Sequence, residues 1–86
     1  SLSHSKLVQA LAVIEKEEWT LLTAEVLSYT SDGADVFAIY SFLKSEKDNL
    51  GALPEVEEVV HQYFPHLSVK VFQNYLSVIF GWVESW

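Results

Sequence analysis

The chain contains no cysteine, no methionine and no arginine among its 86 residues. The absence of cysteine excludes disulfides, thiolate metal ligands and thiol nucleophiles. It also favours a cytoplasmic location, as does the lack of an apolar leader of signal-peptide form. Because methionine is missing and the chain ends on Trp86 directly after an apolar stretch, we expect residues 1–86 to be a single helical domain taken from a longer protein.

Positive charge is scarce, because five lysines stand against twelve acidic residues and the formal net charge is −7. Nucleic-acid binding needs cations along the phosphates and often an arginine at guanine, so we expect no nucleic-acid partner. The same deficit disfavours anionic membrane surfaces and phosphorylated ligands. Apolar runs such as Val36 to Tyr40 are far shorter than the roughly 20 residues that span a bilayer, so we also expect no membrane partner.

Glycine and proline are sparse, with three and two copies. The sequence has no Gly-rich phosphate loop, no Gly-x-Ser-x-Gly elbow and no His-Glu-x-x-His helix, which are patterns that position phosphates, a nucleophilic serine or a zinc ion. Cysteine and arginine, which serve in acyl and phosphoryl transfer, are missing too. We therefore expect no catalytic residues, no cofactor and no enzymatic activity.

One pair of residues has a spacing known from metal sites. Glu58 and His61 lie three residues apart, as in the helices of di-iron and di-manganese bundles. Such sites need a second copy of the motif and further carboxylates, and no second histidine stands at the right offset even if Glu18 and Glu25 served as those carboxylates. We therefore expect no metal site, and we expect His61 to pair with Glu57 one turn earlier.

Apolar residues, by contrast, are abundant. They make up half of the chain, and 14% of all residues are aromatic, which is enough to fold a chain of this length around one core. Turn-forming residues cluster at 30–33, 48–51 and 65–68 and separate four segments. The spacing of apolar residues in these segments predicts an all-α fold, a small bundle of about four helices.

The first segment, residues 5–29, has apolar residues at helical spacing, with Ser3 or Ser5 as its N-cap. Glu18 and Glu25 interrupt the apolar side, which suggests a helix that is kinked or split near Glu15 to Glu18. The same two carboxylates lie either at the rim of the core or opposite a lysine or arginine of a partner.

The second segment follows Asp32-Gly33 and is rich in β-branched and aromatic residues between Val36 and Phe42. A hairpin around Asp32-Gly33 is therefore an alternative. We prefer a helix, capped by an Asp or Ser, because small and polar residues recur at every third or fourth position.

The third and fourth segments are helical by several signals. Pro54 precedes a run of glutamates and Pro65 ends the segment, which predicts a helix from Pro54 to Phe64. The fourth segment follows Ser68 and runs to Trp86. Its polar stripe covers only about 120° of arc and leaves roughly 200° apolar, about twice what a helix on one side of a bundle needs.

The wide apolar arc of this last helix can be covered in three ways. Either the helix is central in the bundle, or it presents one edge to a second copy of the chain, or it lines a pocket. For the second case we expect the interaction edge to be Tyr75, Val78, Trp82 and Trp86, because tyrosine and tryptophan dominate binding energies. The opposite edge, with Val69 and Phe80, is the alternative.

These observations predict a non-enzymatic protein–protein interaction or regulatory module that self-associates as a homodimer, binds a protein partner, or does both. The alternative is a small helical domain that binds an apolar ligand in an aromatic core. A bound metal would instead favour a catalytic bundle.

A short stretch resembles a known family. Tyr63-Phe64-Pro65-His66-Leu67 leading to Val71-Phe72 is similar to a helix-turn-helix passage in the helical N-terminal domains of bacterial stress-response phosphatase regulators. Those domains dimerise and recruit an activator, so the resemblance implies self-association and a protein partner. It spans residues 63–72 and assigns no role to an individual side chain.

Overall fold

The structure, a computed structural model, describes residues 5–86 and contains helices joined by short loops. The α-helices are α1 (Lys6–Leu11), α2 (Lys16–Tyr29), α3 (Asp35–Ser45), α4 (Val56–Tyr63) and α5 (Val69–Ser85), with a 3-10 turn at Leu50–Ala52. Residues 5–86 contain no strand, so the predicted all-α fold is confirmed. The hairpin alternative is wrong: at Asp32-Gly33 the chain makes a turn, closed by the Ala34 N–H donating to the Ser31 carbonyl at 3.1 Å, that leads into a helix.

The first predicted segment is split, as the two glutamates in its apolar side indicated. Helix α1 ends at Leu11 and α2 begins at Lys16. At the break, the Glu15 N–H donates to a carboxylate oxygen of Glu18 at 2.9 Å, which is the N3 contact of a capping box. Glu18 thus marks the start of α2. Ser5 caps α1 by accepting from the Val8 N–H at 3.2 Å, whereas Ser3 lies outside the described residues.

Helix α3 begins without the side-chain cap that the sequence predicted. Its N-cap is Ala34, which has no side-chain acceptor, and Asp35 is the first helical residue. That prediction of an Asp or Ser cap is wrong. Asp35 lies instead in the first turn, where a carboxylate is favoured by the helix dipole.

The last two helices begin and end at the predicted signals, with small shifts. Helix α4 starts at Val56, two residues after Pro54, and its N-cap is Glu55. Its C-cap is Phe64, immediately before Pro65. Ser68 caps α5 by accepting from the Val71 N–H at 3.1 Å.

The core forms around α5. This helix packs against α1, α3 and α4, and α2 packs against α3. Phe72 and Ile79 of α5 are fully buried. The remaining buried side chains come from every other helix and from the loop before α4: Leu7, Val8, Leu11, Trp19, Leu22, Val26, Ile39, Tyr40, Leu43, Leu50, Leu53, Val59, Val60 and Phe64.

A polar cluster inside the bundle joins α2 to α3. The Thr23 hydroxyl donates to the Trp19 carbonyl at 2.7 Å, and its oxygen lies 2.7 Å from the Tyr40 hydroxyl and 3.2 Å from the Lys44 ammonium. Because the single proton of Thr23 is used at Trp19, Tyr40 and Lys44 are the donors to Thr23. Burial raises the pKa of Tyr40 above its ordinary value.

Candidate interaction surface

The four predicted interaction residues lie along one side of α5, from Tyr75 near its middle to Trp86, the C-cap residue that follows Ser85. Val78 and Trp86 are 45% and 43% exposed, whereas Tyr75 and Trp82 are half-buried. The predicted edge is thus accessible at Val78 and Trp86 and partly covered at Tyr75 and Trp82.

Val71 extends this edge toward the start of the helix. It is 37% exposed, and it precedes Tyr75, Val78 and Trp82 at intervals of four, three and four residues. This is the spacing of a coiled-coil seam, and it confines the four side chains to about 60° of arc at 100° per residue. The edge predicted from the sequence does not contain Val71. We call Val71, Tyr75, Val78, Trp82 and Trp86 the α5 edge.

Helix α2 borders the α5 edge through Tyr29. The Tyr29 ring stacks on the Trp82 indole, with centroids 5.6 Å apart and planes inclined by 22°. The Tyr29 hydroxyl donates to a carboxylate oxygen of Glu25 at 2.7 Å, and this hydrogen bond raises the pKa of Tyr29. Tyr29 is itself exposed, so it enlarges the aromatic surface next to Trp82.

Glu18 and Glu25, the carboxylates that interrupt the apolar side of the first segment, are both partly buried. Their position at the rim of the core is therefore as predicted. Each also has a local role, since Glu18 caps α2 and Glu25 accepts from Tyr29.

A mid-helix glycine lies beside the α5 edge. Gly81 is exposed, its φ is not positive, and a Cβ at this position would meet no atom within 4 Å. Glycine inside a helix costs about 1 kcal/mol relative to alanine. Neither backbone conformation nor packing within the chain explains this glycine.

The opposite edge of α5 lies against α1 and α4. Phe80 and Val69 are half-buried there. Next to Phe80 is a surface groove of about 510 Å³ with Leu7, Val56 and Leu76 among its lining residues. This edge is less exposed than Val78 and Trp86.

Among the described residues, His66 and the Glu58-x-x-His61 pair belong to no metal cluster. Within residues 5–86, no three metal-ligating side chains lie together, and Glu58 and His61 are exposed. No hydrogen bond or ion pair joins His61 to Glu57 in this part of the chain, so the predicted pair is not formed. The sequence did not predict a partner for His66, and its Nε2 lies 3.1 Å from Oδ1 of Asp35. His4 lies outside the described residues.

None of the helices described between residues 5 and 86 is both long and apolar enough to cross a membrane. Comparison of the chain with protein-family models, with curated proteins and with solved structures found no match.

Proposed function

We propose that this chain is a non-enzymatic protein-interaction module of regulatory type that self-associates as a homodimer through the α5 edge. The observation that carries the proposal is the row of exposed apolar side chains at Val71, Val78 and Trp86. They lie along α5, the helix around which the core forms. Contiguous apolar and aromatic surface of this kind is typical of interaction sites. The proposal keeps the cytoplasmic setting that a cysteine-free composition favours.

The charges of α5 allow a second copy of the chain to bind at this edge. A net charge of −7 opposes self-association in general, because like charges repel. Helix α5, however, carries one lysine, Lys70, and one glutamate, Glu84, so its own net charge is zero. The residues next to Val78 on the polar side of α5, which are Asn74, Ser77 and Gly81, carry no charge. Two copies can therefore pair around Val78 without bringing charged side chains of α5 together.

Gly81 supports a close approach of the second helix. Together with Ser77 and Ser85 it forms a row of small residues at intervals of four, directly beside the α5 edge. Small residues let two helix backbones approach closely. A partner helix at this position would account for a glycine that the isolated chain does not need.

The proposal is tested by sedimentation equilibrium of the wild-type chain and two variants. Val78→Glu places a charge in the α5 edge and is expected to weaken dimerisation by about tenfold or more, because an unpaired charge is costly to bury. Val13→Glu is the matched control at an exposed valine outside the α5 edge, and it should leave the dimerisation constant unchanged. A wild-type chain that stays monomeric up to millimolar concentration would contradict the proposal.

Val78 is a better test position than Trp82. Trp82 stacks on Tyr29 within the chain, so its truncation would change the fold and the interface together. Val78 is exposed, so its substitution acts mainly on the interface.

The alternative of an apolar ligand also has an observation in its favour. The 510 Å³ groove beside Phe80 falls within the range of about 300–1,000 Å³ found for ligand pockets. It lies at the surface between α1, α4 and α5 and has one aromatic residue, Phe80, in its lining, so it differs from the aromatic-core site that the sequence suggested. The alternative would be favoured if a hydrophobic dye binds one-to-one to the Val78→Glu variant and no longer binds when Leu76→Gln, in this groove, is added to that variant.

A further inference from the structure

A second apolar groove lies where the α1–α2 junction meets the end of α5. Its volume is about 430 Å³. Ile14, Phe80 and Val83 line it as half-buried side chains. Val13 and Trp86 line it as exposed ones, and Val13, at 78%, is the most exposed large apolar side chain of the described residues. The groove can therefore accept a bulky apolar side chain from outside.

Two carboxylates also line this groove. Glu18 comes from the start of α2 and Glu84 from the end of α5, and the lining contains no lysine. The lysine nearest to Glu18 in sequence, Lys16, lines a separate groove with Trp19 and Lys47. An apolar groove with acidic groups and no cation is complementary to an apolar side chain flanked by positive charge.

A second copy of the chain does not supply such a segment. The chain has five lysines and no arginine. Its closest pair of lysines, Lys44 and Lys47, is interrupted by Glu46 and followed by Asp48. The occupant of this groove is therefore a different molecule from the occupant of the α5 edge.

We propose that this groove binds a basic, amphipathic segment of a protein partner, with an apolar side chain of the partner between Val13 and Trp86 and its lysine or arginine side chains against Glu18 and Glu84. The groove and the α5 edge overlap at Trp86, whereas Val13 belongs to the groove alone and Val78 to the α5 edge alone. Dimerisation and binding of the segment therefore compete for Trp86.

The test measures fluorescence anisotropy of a labelled peptide added to the full chain. The peptide carries two leucines flanked by two arginines on each side. One control peptide replaces the arginines with glutamates, and the other replaces the leucines with glycines. We expect the first control not to bind and the second to bind about tenfold more weakly or worse, because it lacks the apolar area to bury. Affinity should also fall as salt is raised from about 20 to 300 mM, since the charges are near the surface.

Two double variants with the same net charge show whether the groove is the site. Glu18→Gln with Glu84→Gln removes both groove carboxylates, and glutamine at position 18 can still cap α2. We expect about fivefold weaker binding, which corresponds to roughly 1 kcal/mol from two surface charge pairs. Glu57→Gln with Glu58→Gln removes two exposed carboxylates of α4, and it should leave binding unchanged.

The results separate this proposal from self-association. Val78→Glu should bind the peptide at least as tightly as the wild-type chain, because a chain that no longer dimerises leaves Trp86 free for the peptide. The groove proposal is overturned if the wild-type chain does not bind the leucine–arginine peptide, if the glycine control binds equally well, or if the α4 double variant weakens binding as much as the groove double variant. None of these outcomes bears on the dimerisation constant.

Discussion

Tyr29 lies nearly parallel to the indole of Trp82, with ring centroids 5.6 Å apart. The same tyrosine donates its hydroxyl to Glu25 at 2.7 Å. A carboxylate in the apolar side of α2 is thereby connected, through one aromatic ring, to the helix that we propose as the dimer interface. Helix α2 reaches the α5 edge at this point, and Tyr29 limits how far Trp82 is exposed.

The pH dependence of stability follows from two tyrosines. The hydrogen bond to Glu25 raises the pKa of Tyr29, and burial raises the pKa of Tyr40, each from the ordinary value of 10.0. The folded state holds these phenolic protons more tightly than the unfolded state does, so this contribution is fully present below pH 10.0 and is lost as pH rises through the folded-state pKa.

Urea unfolding between neutral pH and about pH 11 measures this effect. The free energy of unfolding should fall as the pH rises above 10.0. The fall should be shallower for Tyr40→Phe, because this variant lacks one of the two tyrosines whose pKa is raised. Identical pH profiles for Tyr40→Phe and the wild-type chain would contradict this account of the buried tyrosine.

The polar cluster at Thr23 is expected to stabilise the contact between α2 and α3. Thr23→Val keeps the shape of the side chain but leaves the hydroxyl of Tyr40 without its acceptor, and Tyr40 is fully buried. An unsatisfied buried polar group costs about 1–3 kcal/mol, so urea unfolding should show a loss of that size. Thr23→Ser retains the hydroxyl and is the control; equal losses for valine and serine would show that the acceptor is not the cause.

Gly81→Ala should have opposite effects on the monomer and on the dimer. In the monomer the added methyl meets no atom within 4 Å, and alanine is the better helix former, so the free energy of unfolding should rise by about 0.5–1 kcal/mol. In the dimer the methyl would separate the two helices. Sedimentation should therefore show weaker association for a more stable chain, and unchanged association would mean that no helix approaches Gly81 closely.

Local signals in the sequence were sufficient to predict most of the fold. Ser5, Ser68, Pro54 and Pro65 stand at or near helix boundaries, because capping and the geometry of proline act within a few residues. The α3 cap was predicted wrongly because Ala34 offers no signal. That start is instead supported from another part of the chain, since His66 pairs with Asp35, 31 residues away.

The candidate surface was less predictable. Helical spacing placed Tyr75, Val78, Trp82 and Trp86 on one side of α5, but it could not show which of them the rest of the chain covers. That depends on Tyr29, which packs on Trp82 and leaves Val78 exposed. The second groove was also missed, because it forms between Val13 in the α1–α2 junction and the distant end of α5.

The most direct measurement of the central claim is disulfide trapping with single cysteines, which a chain without cysteine permits. Under mild oxidation, Val78→Cys should form a covalent dimer much faster than Val13→Cys, although Val13 is the more exposed position. Exposure alone would favour position 13, so faster trapping at position 78 requires that two copies meet at the α5 edge. Equal or faster trapping of Val13→Cys would contradict the claim that the α5 edge is where the chain self-associates.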